Sequence, residues 1–467
     1  MANRSAFCVI LLGVFIGKVY CQQQLSLQQA LDLTKENYPS IKSKAAAKIA
    51  SEQEVTLSRS AYVPNLIVQG QITDATANQV RGTFFPNEGM AIPVSGGIRT
   101  NGSNTSQMTW SSFATSFVNW KVFSFGKVKS NIDLAKSEVK KSQSDFDNEV
   151  FQQKIKVCDA YILSIELEGI VKAQKANLDR MLALKNVTVA YAKSGIKSGV
   201  DSSLVNAEYS KAYLNFLETK RMSDEQKINL SELMGMPGAT RYKLDTNVYI
   251  TKTPQAMPSV TQIASNPLLT YYQSLIDYNR NKIKALKRAE LPSISIIGAT
   301  FGRGSGIANA LNSNGDYVYN NSFSSSVGFR AVDYMVGLST IWNITGSYRN
   351  QIEGKKQFYF TKEIEELYNE QKLRLEGELE KSNLRYSSSM EAAVQAPVQL
   401  RSATDAYYQS KARYDSGLNT IIELTQTYAI LNRSEVDLTV AYGNTWRSLL
   451  FIAAASGDLN YFLNNIK

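Results

Sequence analysis

The sequence predicts a mainly α-helical protein with a small antiparallel β part, built around two long helical hairpins. Residues 126–194 contain no proline and are rich in Lys, Glu, Ala, Leu and Gln, which favour helices. A second stretch of the same character runs from Gly346 to Gly457. Pairs of short segments that alternate apolar and polar residues precede each long helix, which is typical of half-buried strands.

The first hairpin has the periodicity of a packed helix pair. Ile132, Val139 and Phe146 are seven residues apart, the spacing of a coiled-coil seam. At ~1.5 Å per residue this helix is on the order of 100 Å long, so it must pack against neighbours along its length. Gly195 and Gly199 end it, because glycine adopts left-handed backbone angles easily. Asp201 or Ser202 is then positioned to cap the return helix to Met234.

The chain is a tandem duplication. Gly417 and Gly457 lie 222 positions after Gly195 and Gly235, and Pro292 lies 228 positions after Pro64. We therefore predict five segments, which are a signal peptide at 1–21, a first repeat at 22–235, a linker at 236–258, a second repeat at 259–457 and a C-terminal tail at 458–467.

The first 21 residues have the features of an export signal. Arg4 precedes the apolar run Ala6–Gly17, and a cut near Gln22 is expected. An alternative interpretation makes Cys21 a lipidated residue. After cleavage only Cys158 remains, which excludes an intrachain disulfide. The net charge of +10 comes without a basic patch interleaved with aromatic residues, so we expect no binding to nucleic acid.

Four segments of about ten residues alternate between two faces. They cover residues 66–73, 108–122, 294–300 and 334–342, and polar loops at 74–107 and 303–326 join them in pairs. Such strands are typical of a membrane barrel, although a half-buried soluble hairpin alternates in the same way. Four strands cannot close a barrel, and lipid does not tolerate an open edge. Closure therefore requires two or three chains.

Enzymatic chemistry has little support in the sequence. The chain has no histidine, and it lacks a phosphate-binding loop, a nucleophile elbow and a Cys-x-x-Cys motif. Acidic residues are spread along the helices as charge pairs, so only a carboxylate-based active site would remain for an enzyme. We therefore predict a protein that is not an enzyme and that needs no metal and no cofactor.

Several motifs resemble the TolC-like outer-membrane efflux protein family, the outer-membrane factors of tripartite pumps. The segments LSLQQAL (25–31) and NYP (37–39) resemble the opening helices, and SAYVP (60–64) resembles the helix-to-strand turn. WKVFSFG (120–126) and IWNITG (341–346) resemble the starts of the long helices, while YAKSG (191–195) and RYDSG (413–417) resemble the hairpin ends. The resemblance covers nearly all of the mature chain, and the order of these motifs is more specific than any one of them.

The resemblance implies a homotrimer in the outer membrane with helices extending into the periplasm. Twelve helices would form an α-barrel tunnel, twelve strands would form a shared transmembrane β-barrel in outer-membrane lipid, and the linker would be the equatorial region. The function implied is that of a passive exit duct in a tripartite efflux or type I secretion system, working with a periplasmic adaptor and an inner-membrane pump. The alternative is a soluble periplasmic coiled-coil protein with a structural or adaptor role.

The resemblance also implies roles for eight residues near the hairpin ends. Asp201 and Tyr414 match family positions that hold the entrance shut, and Asn419 stands where the family has their arginine partner. Glu423 and Gln426 match the two acidic positions of the constriction, and a ring of Glu423 would favour cations. On their own, Asp201 and Glu423 are equally explained as charges at helix N-termini. Gly195, Gly199 and Gly417 mark the ends that would meet the adaptor.

Overall fold

The computed structural model describes residues 24–76, 84–87, 90–93, 108–238, 242–245, 249, 252–254, 263, 265–313, 317–320 and 322–466. The predicted signal peptide with Cys21, and most of the predicted loop at 74–107, lie outside the described residues. Over the described residues the chain is mainly helical with a small antiparallel sheet, which confirms this part of the predicted fold class.

The first half contains the first long hairpin and two strands of the main sheet. Its elements are β1 (Gln24–Leu25), α1 (Leu27–Asn37), α2 (Pro39–Ser60), β2 (Asn65–Thr76), β3 (Phe84–Asn87), β4 (Met90–Pro93), β5 (Met108–Phe123), α3 (Lys127–Lys193) and α4 (Gly199–Leu233). A capping box opens α1, where Ser26 and Gln29 satisfy each other's backbone N–H groups.

The second half repeats this order of helix, strand pair and helical hairpin. Its elements are β6 (Lys243–Leu244), α5 (Pro267–Ala289), β7 (Ser293–Ser305), β8 (Ile307–Leu311), β9 (Tyr317–Tyr319), α6 (Phe323–Val327), β10 (Ala331–Ile341), α7 (Ile344–Asp415), α8 (Ile421–Ser456) and α9 (Leu459–Asn464). α7 starts two residues before Gly346, because the side chain of Asn343 accepts a hydrogen bond from the Gly346 N–H at 2.9 Å.

The described chain divides into two compact units, and each draws on both predicted repeats. The first comprises residues up to Lys48, Ser142–Gln273 and Glu365 onward. In its core, Tyr161 and Trp446 are fully buried, and both bond to backbone carbonyls, those of Leu25 at 2.8 Å and Lys252 at 3.1 Å. The repeat boundaries at 22–235 and 259–457 stay predictions.

The second unit comprises Ile49–Lys141 and Ser274–Ile364, and it holds the main sheet. Its four strands are antiparallel in the order β10-β7-β5-β2. Asn65 pairs with Asn119, Phe123 with Ile294, and Ser293 with Ile341, so all four strands meet their helices at one end of the sheet. The outer edges of β2 and β10 have no partner strand in the described chain.

Four segments predicted as loop, linker or tail contain regular structure. The loop at 303–326 contains the β8–β9 pair and α6, and the loop at 74–107 contains the β3–β4 pair. The linker contributes β6, which pairs in parallel with β1. The tail forms α9, whose N-terminus is capped by Asp458. These elements are too short to show a periodic pattern, and the β1–β6 pair joins segments far apart in the sequence.

In the described part of the chain, no helix has an apolar stretch of the length needed to cross a membrane.

Candidate functional site at the hairpin ends

The two hairpin turns have the same backbone geometry. The N–H of Ile196 donates to the carbonyl of Tyr191 at 2.9 Å, and that of Gly195 donates to Ala192 at 3.2 Å. The second turn repeats both bonds 222 residues later, with Gly417 as its central glycine. These bonds form a Schellman motif, which requires a left-handed residue. Gly195 and Gly417 accordingly have φ of 76° and 75°.

The return helices begin at hydroxyl caps rather than at the predicted acidic residue. Ser198 caps α4 by accepting a hydrogen bond from the Val200 N–H at 3.2 Å, so the prediction that Asp201 or Ser202 caps this helix is wrong. The turn needs only one left-handed residue, Gly195, so α4 begins at Gly199 and its N-cap is Ser198, before the predicted residues. Gly199 is the first residue of α4, and it is not among the glycines with positive φ, contrary to the prediction that it ends the preceding helix.

Glu423 completes the cap of α8. Its carboxylate accepts hydrogen bonds from the N–H of Thr420 at 2.8 Å and from the hydroxyl of Thr420 at 3.1 Å. These bonds, with the charge of Arg413, hold the pKa of Glu423 below its usual value. Glu423 and Gln426 are both exposed on one face of α8. An exposed, ionised carboxylate on this face is therefore available to attract cations.

Asp201 occupies the matching position of the first hairpin but is bound differently. It lies in the first turn of α4, three residues after Ser198, where the macrodipole favours a negative charge. Its side chain makes no hydrogen bond to the described part of the chain, whereas Glu423 makes two. Aspartate is one methylene shorter than glutamate, and a capping box uses Glu or Gln at this position.

Tyr414 connects the two hairpins. Its ring is buried, and the ammonium nitrogen of Lys197 lies 5.0 Å from the ring centre. This cation–π contact joins the first turn to the end of α7. The ring packs in a cluster contributed by all four long helices, whose buried members are Leu178, Met181, Leu184, Val205, Ala212, Tyr414, Ile421, Leu424 and Tyr428. The Tyr414 hydroxyl has no hydrogen-bond partner among the described residues.

Asn419 holds its own hairpin together. Its amide donates a hydrogen bond to the hydroxyl of Ser410 at 2.8 Å, which ties the second turn back to α7. The described chain shows no bond joining Asp201, Tyr414 and Asn419 to one another. The structure therefore brings the eight candidate residues to one end of the hairpins, but the lock suggested by the resemblance is not formed within one chain.

Sequence reasoning missed the ion pairs that join α3 to α8. Arg180 forms two hydrogen bonds to Glu435, at 2.9 and 2.6 Å, and Arg447 forms two to Asp159, at 2.7 and 3.3 Å. The partners are more than 250 residues apart, so no local pattern connects them. Lys197, the partner of Tyr414, was missed for the same reason.

Glu166 is a buried acid between the same two helices. It lies against Gly443 of α8, and one carboxylate oxygen has no hydrogen-bond partner among the described residues. Burial raises the pKa of Glu166 to about 7, with Arg447 lowering it and Asp159 raising it. The nearby thiol of Cys158 is fully buried, and burial raises its pKa, so it is an inert packing residue.

The described ranges contain no cluster of three or more Cys, Asp or Glu residues able to hold an ion. The site is instead a packed bundle end with two exposed turns. Its exposed apolar side chains include Ile196, Val200 and Leu418, each more than half accessible. Such a surface is suited to protein contact.

Residues 30–236 match the model of the outer membrane efflux protein family. This part of the chain is similar to outer membrane efflux proteins. The match confirms the resemblance drawn from the motifs, and it covers the first hairpin with its turn at Gly195. No curated protein sequence matches the chain.

Solved structures of outer-membrane channels share the fold. The outer membrane protein VceC of Vibrio cholerae has a TM-score of 0.71 at 11% identity, covering 92% of this chain and 96% of that chain. The Campylobacter jejuni CmeC channel has a TM-score of 0.73 at 13% identity, covering 92% and 85%. The open state of the Neisseria gonorrhoeae MtrE channel has a TM-score of 0.62 at 13% identity, covering 92% and 89%.

Proposed function

We propose that the chain is one third of an outer-membrane export duct. Three copies would close a twelve-strand barrel in the membrane and a twelve-helix tunnel in the periplasm. The observation that carries this proposal is the four-stranded sheet, whose outer strands β2 and β10 lack partners on one side within the described chain. Lipid does not accommodate unpaired strand edges, so neighbouring copies must supply the missing partners.

The exposed side chains of β10 support a membrane location. Val332, Tyr334, Val336 and Leu338 alternate along the strand and are between 72% and 88% exposed. A soluble protein rarely leaves such a row uncovered. In a barrel these side chains would face lipid, as outward-facing residues of transmembrane strands do.

The hairpin ends would form the periplasmic entrance. We propose that Gly195, Gly199 and Gly417 mark the turns that meet an adaptor, which in turn joins an inner-membrane pump. The exposed Ile196, Val200 and Leu418 provide apolar contact area there. Export is passive in this scheme, since the pump supplies the energy.

Gating would reside in the residues just inside these turns. We assign Asp201, Tyr414 and Asn419 to holding the entrance shut, and Glu423 and Gln426 to lining the constriction. The Tyr414 hydroxyl is buried without a hydrogen-bond partner among the described residues, so a rearrangement of the hairpin ends that gave it a partner would be favoured. Glu423 is ionised and exposed, so three copies would form a ring of negative charge.

The assembly is tested by the mass of the detergent-solubilised protein after a carbonate wash of the membrane pellet. We expect a complex of three chains that stays with the membrane during the wash. A monomer released by the wash would contradict the duct and favour the soluble periplasmic coiled-coil alternative.

The constriction is tested by single-channel recording. Glu423→Gln removes the charge but keeps a side chain suited to the capping box, so we expect a loss of cation preference without loss of trimer. Glu391→Gln is the matched control, since Glu391 is an exposed acid on α7 that lies far along the chain from the turn. Unchanged selectivity in Glu423→Gln would remove Glu423 from the constriction.

A further inference from the structure

The helix end of the main sheet is surrounded by aromatic side chains. The indole N–H of Trp120 donates to the carbonyl of Tyr62, and that of Trp342 donates to the carbonyl of Glu290, both at 3.0 Å. The two bonds are repeat-related, because Glu290 follows Tyr62 by 228 positions and Trp342 follows Trp120 by 222. Both indoles are exposed, at 43% and 59%. Half-exposed tryptophans at strand ends are typical of the boundary between hydrocarbon and headgroups.

Positive charge is concentrated just beyond these aromatic residues. The segments 58–64, 121–131, 284–291 and 341–350 lead from this end of the sheet into the helices, and Glu290 is their one acidic residue. They contain eight cations, which are Arg59, Lys121, Lys127, Lys129, Lys284, Lys287, Arg288 and Arg349. The segments 74–76, 108–111, 302–306 and 328–333 at the opposite end contain two arginines and two aspartates. The excess of positive over negative side chains is therefore found at the helix end of the sheet and not at the opposite end.

Most of these cations have no counterion within the described part of the chain. Arg59, Lys127, Lys129, Lys287, Arg288 and Arg349 form no ion pair there. Further along the same helices some lysines are paired, as Lys141 is with Glu138 at 2.7 Å and Lys356 with Glu353 at 3.4 Å. We define the unpaired residues Lys127, Lys129, Lys287 and Arg288 as the cation belt, since they adjoin β5 and β7, the two central strands of the sheet.

The height of the cation belt matches a headgroup layer. Lys127 and Lys129 lie four and six residues after β5, and Lys287 and Arg288 lie six and five residues before β7. Three non-helical residues separate β5 from α3 and α5 from β7, and the four cations lie within the first or last three residues of these helices, about 3 Å of helix at ~1.5 Å per residue. A headgroup layer is about 5–8 Å thick on each side of the hydrocarbon. Lysine and arginine side chains are also long enough to adjust their charged ends to this layer.

We propose that the cation belt binds the anionic headgroups of phospholipids in the leaflet on the helix side of the sheet. The proposal rests on the proposed function, since it requires the sheet to lie in a bilayer. Along the chain the order is exposed apolar strand, aromatic ring, then unpaired cation, and a bilayer has the complementary order of acyl chain, interface and phosphate. An acidic protein partner would complement the cations but not the apolar and aromatic layers beside them.

Tryptophan quenching tests this proposal, because Trp120 and Trp342 sit beside the cation belt. The full-length assembly, in a Trp110→Phe background, is reconstituted in vesicles of phosphatidylcholine brominated near the headgroup end of its chains. Unbrominated phosphatidylglycerol is then added as a competitor at about 0.15 M salt. The substitution removes Trp110, at the other end of β5, and Trp446 is buried within the helices. The quenching therefore reports on Trp120 and Trp342, beside the cation belt.

We expect the relief of quenching to show a preference of about three- to tenfold for phosphatidylglycerol over phosphatidylcholine, because a few surface cations attract anionic lipid. The variant Lys127→Gln/Lys129→Gln/Lys287→Gln/Arg288→Gln should show a ratio near one. The matched control Lys35→Gln/Lys42→Gln/Lys220→Gln/Arg385→Gln removes the same charges from exposed helix positions in the other unit, and it should keep the preference.

Three outcomes would overturn the proposal that the cation belt binds anionic headgroups. The parent protein could show no headgroup preference, the belt variant could retain the preference, or the control variant could lose it to the same extent. In each of them brominated phosphatidylcholine still quenches the tryptophans, so the membrane function stands. Absence of quenching by any brominated lipid would instead overturn the proposed function itself, and the belt with it.

Discussion

At the scale of single residues, each hairpin turn depends on one glycine with a left-handed backbone. Gly195 and Gly417 have nearly equal φ, and a Cβ atom at either would meet nothing within 4 Å. Glycine is therefore favoured at these two positions by the left-handed backbone and not by a lack of space for a side chain. Gly199 sits a few residues away in helical conformation, also with open space around it, so the same hairpin contains a natural comparison.

The backbone requirement predicts opposite effects of alanine at these positions. Gly417→Ala should lower the free energy of unfolding by about 1–2 kcal/mol, the cost of a left-handed L-residue. Gly199→Ala should leave it unchanged or raise it by up to ~1 kcal/mol, because alanine restricts the unfolded chain. Chemical unfolding followed by helical circular dichroism measures both. Equal destabilisation by the two changes would contradict this assignment.

Glu423 combines a structural role with an electrostatic one. Its hydrogen bonds with Thr420 hold the pKa below the usual value, so the carboxylate stays ionised to a lower pH than an ordinary glutamate. Protonation of Glu423 is half complete only at this lowered value. More than half of the Glu423 carboxylates are therefore still ionised at the usual glutamate pKa.

We predict that the cation preference of the proposed channel is lost on acidification with a midpoint below pH 4.5. Reversal potentials measured in a salt gradient at a series of pH values test this. Glu423→Gln should show no such transition, because glutamine does not titrate. A midpoint at or above pH 4.5, or the same transition in Glu423→Gln, would show that another group sets the selectivity.

At the scale of elements, the close contact of α3 with α8 is the feature that local sequence hides. Small residues allow it, since a Cβ atom at Gly169 would overlap the Thr439 side chain, and one at Gly443 would overlap Glu166. Two charged pairs span the same interface, Arg180 with Glu435 and Arg447 with Asp159. Glu166 also lies at this interface, and one of its carboxylate oxygens has no hydrogen-bond partner among the described residues.

The raised pKa of Glu166 predicts a pH dependence of stability. Between the usual glutamate pKa and about 7, the folded chain binds more protons than the unfolded chain, so stability falls as the pH rises through this range. The loss is nearly complete by pH 8 and is on the order of 3 kcal/mol. Glu166→Gln keeps the shape without the charge, so it should be more stable than the parent at pH 8 and nearly equal to it at pH 4.5.

Chemical unfolding of the parent and of Glu166→Gln at pH 4.5, 6 and 8 measures this difference. Glu168→Gln is a suitable comparison, because Glu168 lies on the same helix and forms an ion pair with Lys227 at 2.8 Å. That change should be destabilising, with no gain at high pH. A difference between the parent and Glu166→Gln that does not vary with pH would contradict the buried acid.

At the scale of the whole molecule, the incomplete sheet determines what one chain lacks. The strands alternate in direction across the order β10-β7-β5-β2, so β10 of one copy can continue antiparallel into β2 of the next. Closure by three copies would remove every edge. The apolar row of β10 would then be the outer surface of the barrel rather than an uncovered face.

Cysteine cross-linking tests this closure. Ile67 is the third residue of β2 and Ser339 is the third from the end of β10, so both lie near the helix end of the sheet. Ile67→Cys combined with Ser339→Cys, or with Gly337→Cys to allow for stagger between copies, should give covalent trimers on a non-reducing gel. The native Cys158 is buried and should not compete.

Single variants are the control, because Ile67→Cys alone has no facing cysteine in a head-to-tail ring. They should remain monomeric on the gel. Dimers without trimers in the double variants would indicate a different closure, and no cross-link at either stagger would contradict pairing of β2 with β10.

The sequence by itself determined the elements whose cause is local. Helical composition and periodicity predicted α3 and α7, prolines and alternation predicted β2, β5, β7 and β10, and the constant spacing of 222 predicted two turns of one geometry. The turns at Gly195 and Gly417 followed because a left-handed residue is a property of a few neighbouring positions. The resemblance to efflux channels followed from motifs of the same local kind.

Only the tertiary structure decided which distant residues meet. It placed Lys197 on the ring of Tyr414, joined α3 to α8 through charged pairs more than 250 residues apart, paired β6 with β1, and gathered unpaired cations around one end of the sheet. These contacts depend on how the repeats pack, and a side chain carries no local sign of a partner brought to it by folding. Periodicity specifies which face of an element is buried, but the geometry of packing selects what lies against it.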